Sequence, residues 1–259
     1  TTSTTTSTTT STTTSTTTPS DQVEIWYEND WDYSNRAELD NDSDIVDTTI
    51  TSNRGQVTLL KGLPQTPTGF TTGIRMTYFA NQGGEVTVGT NIEFPLSPID
   101  KPREIWVEFY ARFSPNFSTV GPYGGNPDYK FFFLLDQDPT PLWRWENMIG
   151  TFGSSVLALI GGEGSIYNFD YTNPNSIDQL WDGRWHLFQY HGKMGSQDGA
   201  WEFWIDGRHF PYDNIPSTDR GPSYFFNSIS LSRNMNRGVS EDMNVDFGPI
   251  KVYIQDPGW

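Results

Sequence analysis

Ten consecutive residues, Glu104-Ile-Trp-Val-Glu-Phe-Tyr-Ala-Arg-Phe113, alternate with a period of two. Ile105, Val107 and Phe109 fall on one side of an extended chain, and Trp106, Glu108 and Tyr110 on the other. No helix sorts these residues into two faces, so the segment is predicted to be a half-buried strand. The same alternation marks residues 85–94, 184–191 and 200–205. Lys130-Phe-Phe-Phe-Leu-Leu135 is an unbroken apolar run, as in a strand covered on both faces. Shorter strand-like pieces span 23–27, 57–60, 73–79, 142–146, 155–160, 228–231, 244–247 and 250–254. Asp206-Gly207 is a strong hairpin signal, because such a turn needs positive φ. The one helical turn expected lies near Ser176–Leu180. Many strands punctuated by 24 Gly and 17 Pro predict an all-β chain built as a two-sheet antiparallel sandwich.

The first eighteen residues obey another rule. Ser3, Ser7, Ser11 and Ser15 recur every fourth position with threonines between them, and the run stops at Pro19-Ser20. With no large apolar side chain, this tract cannot repay the entropy of ordering itself. Two domains are therefore expected: a Thr/Ser-rich stalk, 1–20, and a sandwich head, 21–259. Every stalk hydroxyl is a candidate O-glycan acceptor: Thr1, Thr2, Ser3, Thr4, Thr5, Thr6, Ser7, Thr8, Thr9, Thr10, Ser11, Thr12, Thr13, Thr14, Ser15, Thr16, Thr17 and Thr18. A bare, flexible linker is the alternative. A sugar-bearing stalk implies an extracellular or cell-surface protein.

With 16 basic and 32 acidic side chains, the net charge is −16, which disfavours nucleic acid and anionic lipid as partners. No stretch reaches the roughly 18 apolar residues of a membrane span, so no membrane insertion is expected. The absence of cysteine excludes thiol chemistry and zinc-thiolate sites. No leader segment is recognisable, so a mature chain is expected. The triplets at Asn41 and Asn116 fit the N-glycosylation pattern.

Three stretches resemble the concanavalin A-like lectin/glucanase jelly rolls, and within them the polysaccharide-lyase-like members. They are Glu108–Phe117, Trp185-His186 with Asp198–Gly207, and Val245–Tyr253; the resemblance spans about residues 100–255. It implies a curved sheet whose concave face holds carbohydrate. Aromatic rings stack on sugar C–H faces, and carboxylates and amides bond the hydroxyls. Trp143 and Trp145 share one face of a strand, with Arg144 opposite, and read either as a stacking platform or as core. Tyr190 and Trp204 join them as candidate glycan-binding residues.

A lyase acting on a uronate polymer would use Tyr190 or His191 as base and acid, with Lys130, Arg144 and Lys193 facing the substrate carboxylate. Gly124–Lys130 departs from the loop of one lyase group. A glycosidase needs two spaced carboxylates, and only Glu146 stands near a matching strand. Jelly rolls often clip an early acidic residue to the last strand through calcium. Asp246 with Glu28 or Asp30 is the candidate set, and the acidic run at Asp40–Asp44 lacks the glycine and glutamate of an EF-hand.

These observations lead to a non-enzymatic extracellular surface or filament protein with a glycan-binding head. The expected partners are glycans or polysaccharide, and copies of itself in a filament. A polysaccharide lyase and a purely structural glycosylated fibre subunit are the alternatives.

Overall fold

The computed structural model describes residues 23–47, 55–80, 86–94, 101–117, 128–136, 144–150, 156–162, 165–168, 180–210, 222–232, 234–235 and 239–259; between 144 and 168 it describes the backbone alone. The Thr/Ser tract and Trp143 lie outside these residues.

Along the chain, β1 (Tyr27–Asn29) is followed by the short helix α1 (Arg36–Asp40), then β2 (Ile45–Asp47), β3 (Gly55–Lys61) and β4 (Thr72–Tyr78). Next come β5 (Val86–Thr87), β6 (Thr90–Glu93), β7 (Glu104–Phe113), β8 (Asp128–Asp136), β9 (Arg144–Gly150), β10 (Val156–Gly162) and β11 (Ser165–Asn168). The chain ends with β12 (Trp185–Lys193), β13 (Ala200–Ile205), β14 (Arg208–Phe210), β15 (Phe226–Leu231), β16 (Asn234–Met235) and β17 (Met243–Tyr253).

These strands form two antiparallel sheets. One has eight strands in the order β14-β13-β12-β7-β17-β4-β3, with β1 also on β17. The other has nine, in the order β11-β10-β9-β8-β15-β6-β2, with β5 and β16 beside them. Neighbours distant in sequence, such as β7 and β17, show that the chain crosses repeatedly between layers. The all-β sandwich read from the sequence is the fold.

The core is an aromatic layer between the sheets. Phe109 of β7 stacks on Phe188 and Tyr190 of β12, each at 5.8 Å, and tilts against Phe132 of the opposite sheet at 5.4 Å. Phe132 and Tyr190 stack face to face at 4.1 Å. Phe131, Phe132, Phe133 and Leu134 are all fully buried, as the apolar run of β8 requires. Ile105, Val107 and Phe109 face this layer, and Trp201 and Phe203 join it from β13.

Local chemistry accounts for several boundaries. Asp206 and Gly207 both take positive φ, 51° and 76°, closing the β13–β14 hairpin as expected. Within the span expected as one strand, two pieces form, Val86–Thr87 and Thr90–Glu93, and between them Gly89 packs against the Ser232 backbone too closely for any Cβ. The opening strand begins at Tyr27 rather than Val23. The segment 169–179, which holds most of the expected helical turn, lies outside the described residues. A helix does form at Arg36–Asp40. The Asn35 side chain caps Glu38 N–H at 3.1 Å, and the Glu38 carboxylate accepts from Ser34 N–H at 2.6 Å.

Burial raises the phenols of Tyr27, Tyr78, Tyr129 and Tyr190, Tyr27 to about 12. The unfolded chain ionises near 10, so above that pH it loses protons that the folded chain keeps. Stability is therefore expected to be retained below pH 10 and to fall as pH rises from 10 toward 12, read as a falling urea midpoint that tracks tyrosinate absorbance.

Candidate functional site

In the eight-stranded sheet the core consumes one parity of β4, β7, β12, β13 and β17, so the other parity of these strands is committed to its outer face. Register aligns those outward residues into transverse rows. One row runs Glu28–Lys251–Glu108–Gln189–Trp204–His209, crossing β1, β17, β7, β12, β13 and β14. At about 4.8 Å per strand it spans roughly 24 Å. The next row runs Tyr253–Trp106–His191–Glu202.

A cleft of about 380 Å³ opens at the first row, lined by Glu28, Asp30, Thr68, Phe70, Glu108, Tyr110, Leu187 and Lys251 among others. It exists because β17 changes partner. Residues 243–247 pair with β4, and residues 250–252 pair with β1. Between them Gly248-Pro249 breaks the ladder, since proline has no N–H to donate. The freed Gly248 carbonyl accepts from Trp31 Nε1 at 2.7 Å, which pins the β1 side of the gap. On the other side, the β3–β4 loop folds back through Gly62, Gln65 and Gly69, all at positive φ. That loop lays Phe70 over the sheet. Its ring sits 5.6 Å from Tyr110 and meets Trp185 edge-on at 5.1 Å. A Cβ on residue 248 would stand 2.8 Å from the Phe70 ring, so glycine lets the ring rest on the backbone.

The polar groups of the cleft are fixed. Glu108 accepts from Tyr253 Oη at 3.0 Å and from Gln189 Nε2 at 3.4 Å, and Lys251 Nζ lies 4.0 Å away. The Tyr110 phenol is raised by burial, then by the charges of Glu108 and Asp206; burial and Glu108 raise that of Tyr253. Both are therefore neutral hydroxyls at ordinary pH. At the far end of the row, Trp204 stacks on His209 at 4.5 Å and meets Trp259 edge-on at 5.1 Å.

His191 points to this outer face and stacks flat on Trp106 at 4.6 Å. Its Nδ1 lies 2.9 Å from Glu202 and its Nε2 2.9 Å from Glu104, so both ring nitrogens are taken. Lys193 pairs with Asp198 at 2.9 Å. Tyr190, its neighbour in sequence, points the opposite way, into the aromatic core. Its hydroxyl has no hydrogen-bond partner among the described residues. This corrects two expectations, since a fully buried phenol neither stacks on a sugar nor takes a substrate proton. Lys130 and Arg144 belong to β8 and β9 of the other sheet, so the five residues expected of a lyase are not gathered. Trp145 is in register with Leu134, while its side chain and all of Trp143 lie outside what is described. Of the expected glycan-binding residues, Trp204 stands on the outer face.

The expected calcium set is also corrected. Asp246 is held by two guanidiniums, Arg75 Nε and Nη2 at 2.6 and 2.9 Å and Arg112 Nη2 and Nε at 2.6 and 3.0 Å. These bonds raise Arg75, and Arg112 in turn lies over the Trp185 ring at 4.7 Å. A carboxylate already clasped by two cations does not recruit a third, and Glu28 stands in another row, in strand register with Lys251. Among the described residues no group of three or more His, Asp or Glu is arranged to hold a metal ion.

The fold and this face define a two-sheet jelly roll with an aromatic, carboxylate-bearing outer surface. No family model matches the chain, and no curated protein matches it. Among solved structures, it is similar to the alginate lyase vAL-1 from Chlorella virus at 11% identity, over 77% of this chain and 93% of that one, with a TM-score of 0.49. An alginate lyase mutant in complex with an alginate trisaccharide matches at 13% identity over 70% of this chain and 81% of its own, with a TM-score of 0.46. A botulinum neurotoxin type C structure, described as depending on two ganglioside molecules for cell entry, matches at 14% identity over 84% of this chain, with a TM-score of 0.48. The match spans 49% of that toxin chain.

Two substitutions test the geometry. Tyr190→Phe removes a buried hydroxyl that has no partner among the described residues and is expected to raise stability by about 1 kcal/mol in urea unfolding. Asp246→Ala leaves two guanidiniums without their shared acceptor and is expected to lower it by about 2–3 kcal/mol.

Proposed function

We propose that this is an extracellular, non-enzymatic glycan-binding head carried on an O-glycosylated Thr/Ser stalk, and that its ligand is a neutral oligosaccharide laid along the Glu28–His209 row. The observation that carries this reading is the cleft walled by the Phe70 and Tyr110 rings and floored by Glu108. Rings offer faces to sugar C–H groups, while carboxylate, amide and phenol exchange hydrogen bonds with hydroxyls. Glu28, Asp30 and Glu108 outnumber Lys251 in the cleft, which favours a neutral ligand over a uronate polymer. Of the cations expected of a lyase, Lys193 is engaged by Asp198, and on the same sheet Arg75 and Arg112 are engaged by Asp246.

The row is longer than one sugar ring, so dependence on ligand length is expected. Tyr110→Ala should weaken every neutral glycan that binds by about tenfold, equal to roughly 1.4 kcal/mol. Trp204→Ala should weaken only the longer ones. Calorimetric titration across an oligosaccharide length series checks this. Release of unsaturated uronate from alginate or glucuronan, seen as rising ultraviolet absorbance, would overturn the non-enzymatic reading.

A further inference from the structure

The Glu28–His209 row is open at one end and covered toward the other. Glu28 is exposed, and Lys251, Glu108 and Tyr110 are half-buried. Gln189, in register between Glu108 and Trp204, is only 5% exposed although its parity is outward. Trp106 and His191 in the adjoining row are each 9% exposed. The segment that follows β17 lies on this part of the face. Residues 254–259 leave the sheet after Tyr253, which is in register with Trp106. Six residues later Trp259 meets Trp204 of β13 edge-on at 5.1 Å. β17 and β13 are three strand spacings apart, about 14 Å. Six residues reach about 20 Å when extended, so the segment has little slack and crosses over β7 and β12.

This strap is seated by a ring contact. Among the described residues, 254–259 hydrogen-bond only within themselves, Gly258 N–H to Asp256 Oδ1 at 2.8 Å. Residues 254–256 and 258 are exposed, while Pro257 and Trp259 are half-buried. Gly258 takes a φ of 79°, a backbone turn that brings the indole onto the sheet. Trp259 Nε1 is buried there without a hydrogen-bond partner among the described residues. Release into water satisfies that N–H, so the seat is easily vacated. Trp204 itself is held by stacking on His209 at 4.5 Å. What Trp259 covers is thus a preformed aromatic surface in line with the Glu108 cleft, of the kind on which a sugar ring stacks.

We infer that the seat of Trp259 on Trp204 is the far sugar-ring subsite of the row, and that residues 254–259 are a displaceable strap filling it. This rests on the glycan-binding reading of the cleft. A short neutral oligosaccharide fits the open end and leaves the strap in place. A longer one reaches Trp204 only by lifting Trp259, so its apparent affinity is scaled by the fraction of molecules in which the seat is empty. The strap therefore sets which ligand lengths the head holds.

The test is calorimetric titration of the full chain with two neutral ladders, cellobiose to cellohexaose and maltose to maltohexaose. Trp259→Ala is expected to bind the hexasaccharide about tenfold more tightly than the parent chain, and the disaccharide equally. Gly258→Val keeps the indole but disfavours the positive φ that seats it, with open space around the new side chain. It should shift hexasaccharide binding the same way. The gain from Trp259→Ala should vanish in a chain that also carries Trp204→Ala. Weaker hexasaccharide binding by Trp259→Ala would overturn the inference, since the indole would then be a stacking platform and not an obstacle. Unchanged binding, or a gain shared by the disaccharide, would overturn it as well, and in each of these cases the glycan-binding reading stands. No binding of any ladder member by the parent chain or the variants would remove that reading and this inference together.

Discussion

Everything on the outer face of the eight-stranded sheet follows from aromatic packing between the two sheets. Phe109 lies against Phe188, Tyr190, Phe132, Phe131 and Phe247 at centroid distances of 5.4 to 5.8 Å. Rings at such separations combine large apolar burial with favourable offset or tilted geometry. Once they are locked inside, the pleat leaves no choice for the alternate residues. Glu108, Gln189, His191 and Trp204 must point outward, and antiparallel register then sets them side by side. A slip of one residue would bring Glu108 into the core and put Phe109 in water.

The cleft needs a second ingredient, a defect in an otherwise regular sheet. A continuous β17 paired along its length would leave a flat face. Gly248-Pro249 interrupts it, and the two sides of the gap are held by different devices. Trp31, fully buried at positive φ, anchors the β1 side through the Gly248 carbonyl. The Phe70 loop closes the other side. The Arg75–Asp246–Arg112 clasp lies just before the break and ties β4, β17 and β7 together across the same face. The dry interior and the wet cleft thus meet at one two-residue irregularity.

Much of the fold was legible because strand alternation is a local signal. The bounds of β7 agree with those read from its pattern, and the double coverage of β8 followed from an apolar run that no exposed strand would carry. The helix at Arg36–Asp40 went unread although its signal was present, an Asn followed three residues later by Glu. The site was less legible. Tyr190 and His191 are adjacent in sequence and were grouped together, yet adjacency in a strand means opposite faces. Trp31, Phe70, Glu108 and Tyr110 come from three distant segments, so that although Glu108 and Tyr110 belong to a recognisable strand, no local signal joins them to Trp31 and Phe70. Asp246 looked like a free carboxylate, since nothing local announces arginines 171 and 134 residues away.

The sequence by itself determined that the chain is a β-sandwich preceded by a tract unable to build a core, because period-two alternation and bulk apolar content are properties of neighbours along the chain. Which parity faces inward, where β17 exchanges partners, and which side chains share the cleft were decided only by tertiary structure. Those outcomes depend on how distant strands pack and register, and no local segment carries that free energy.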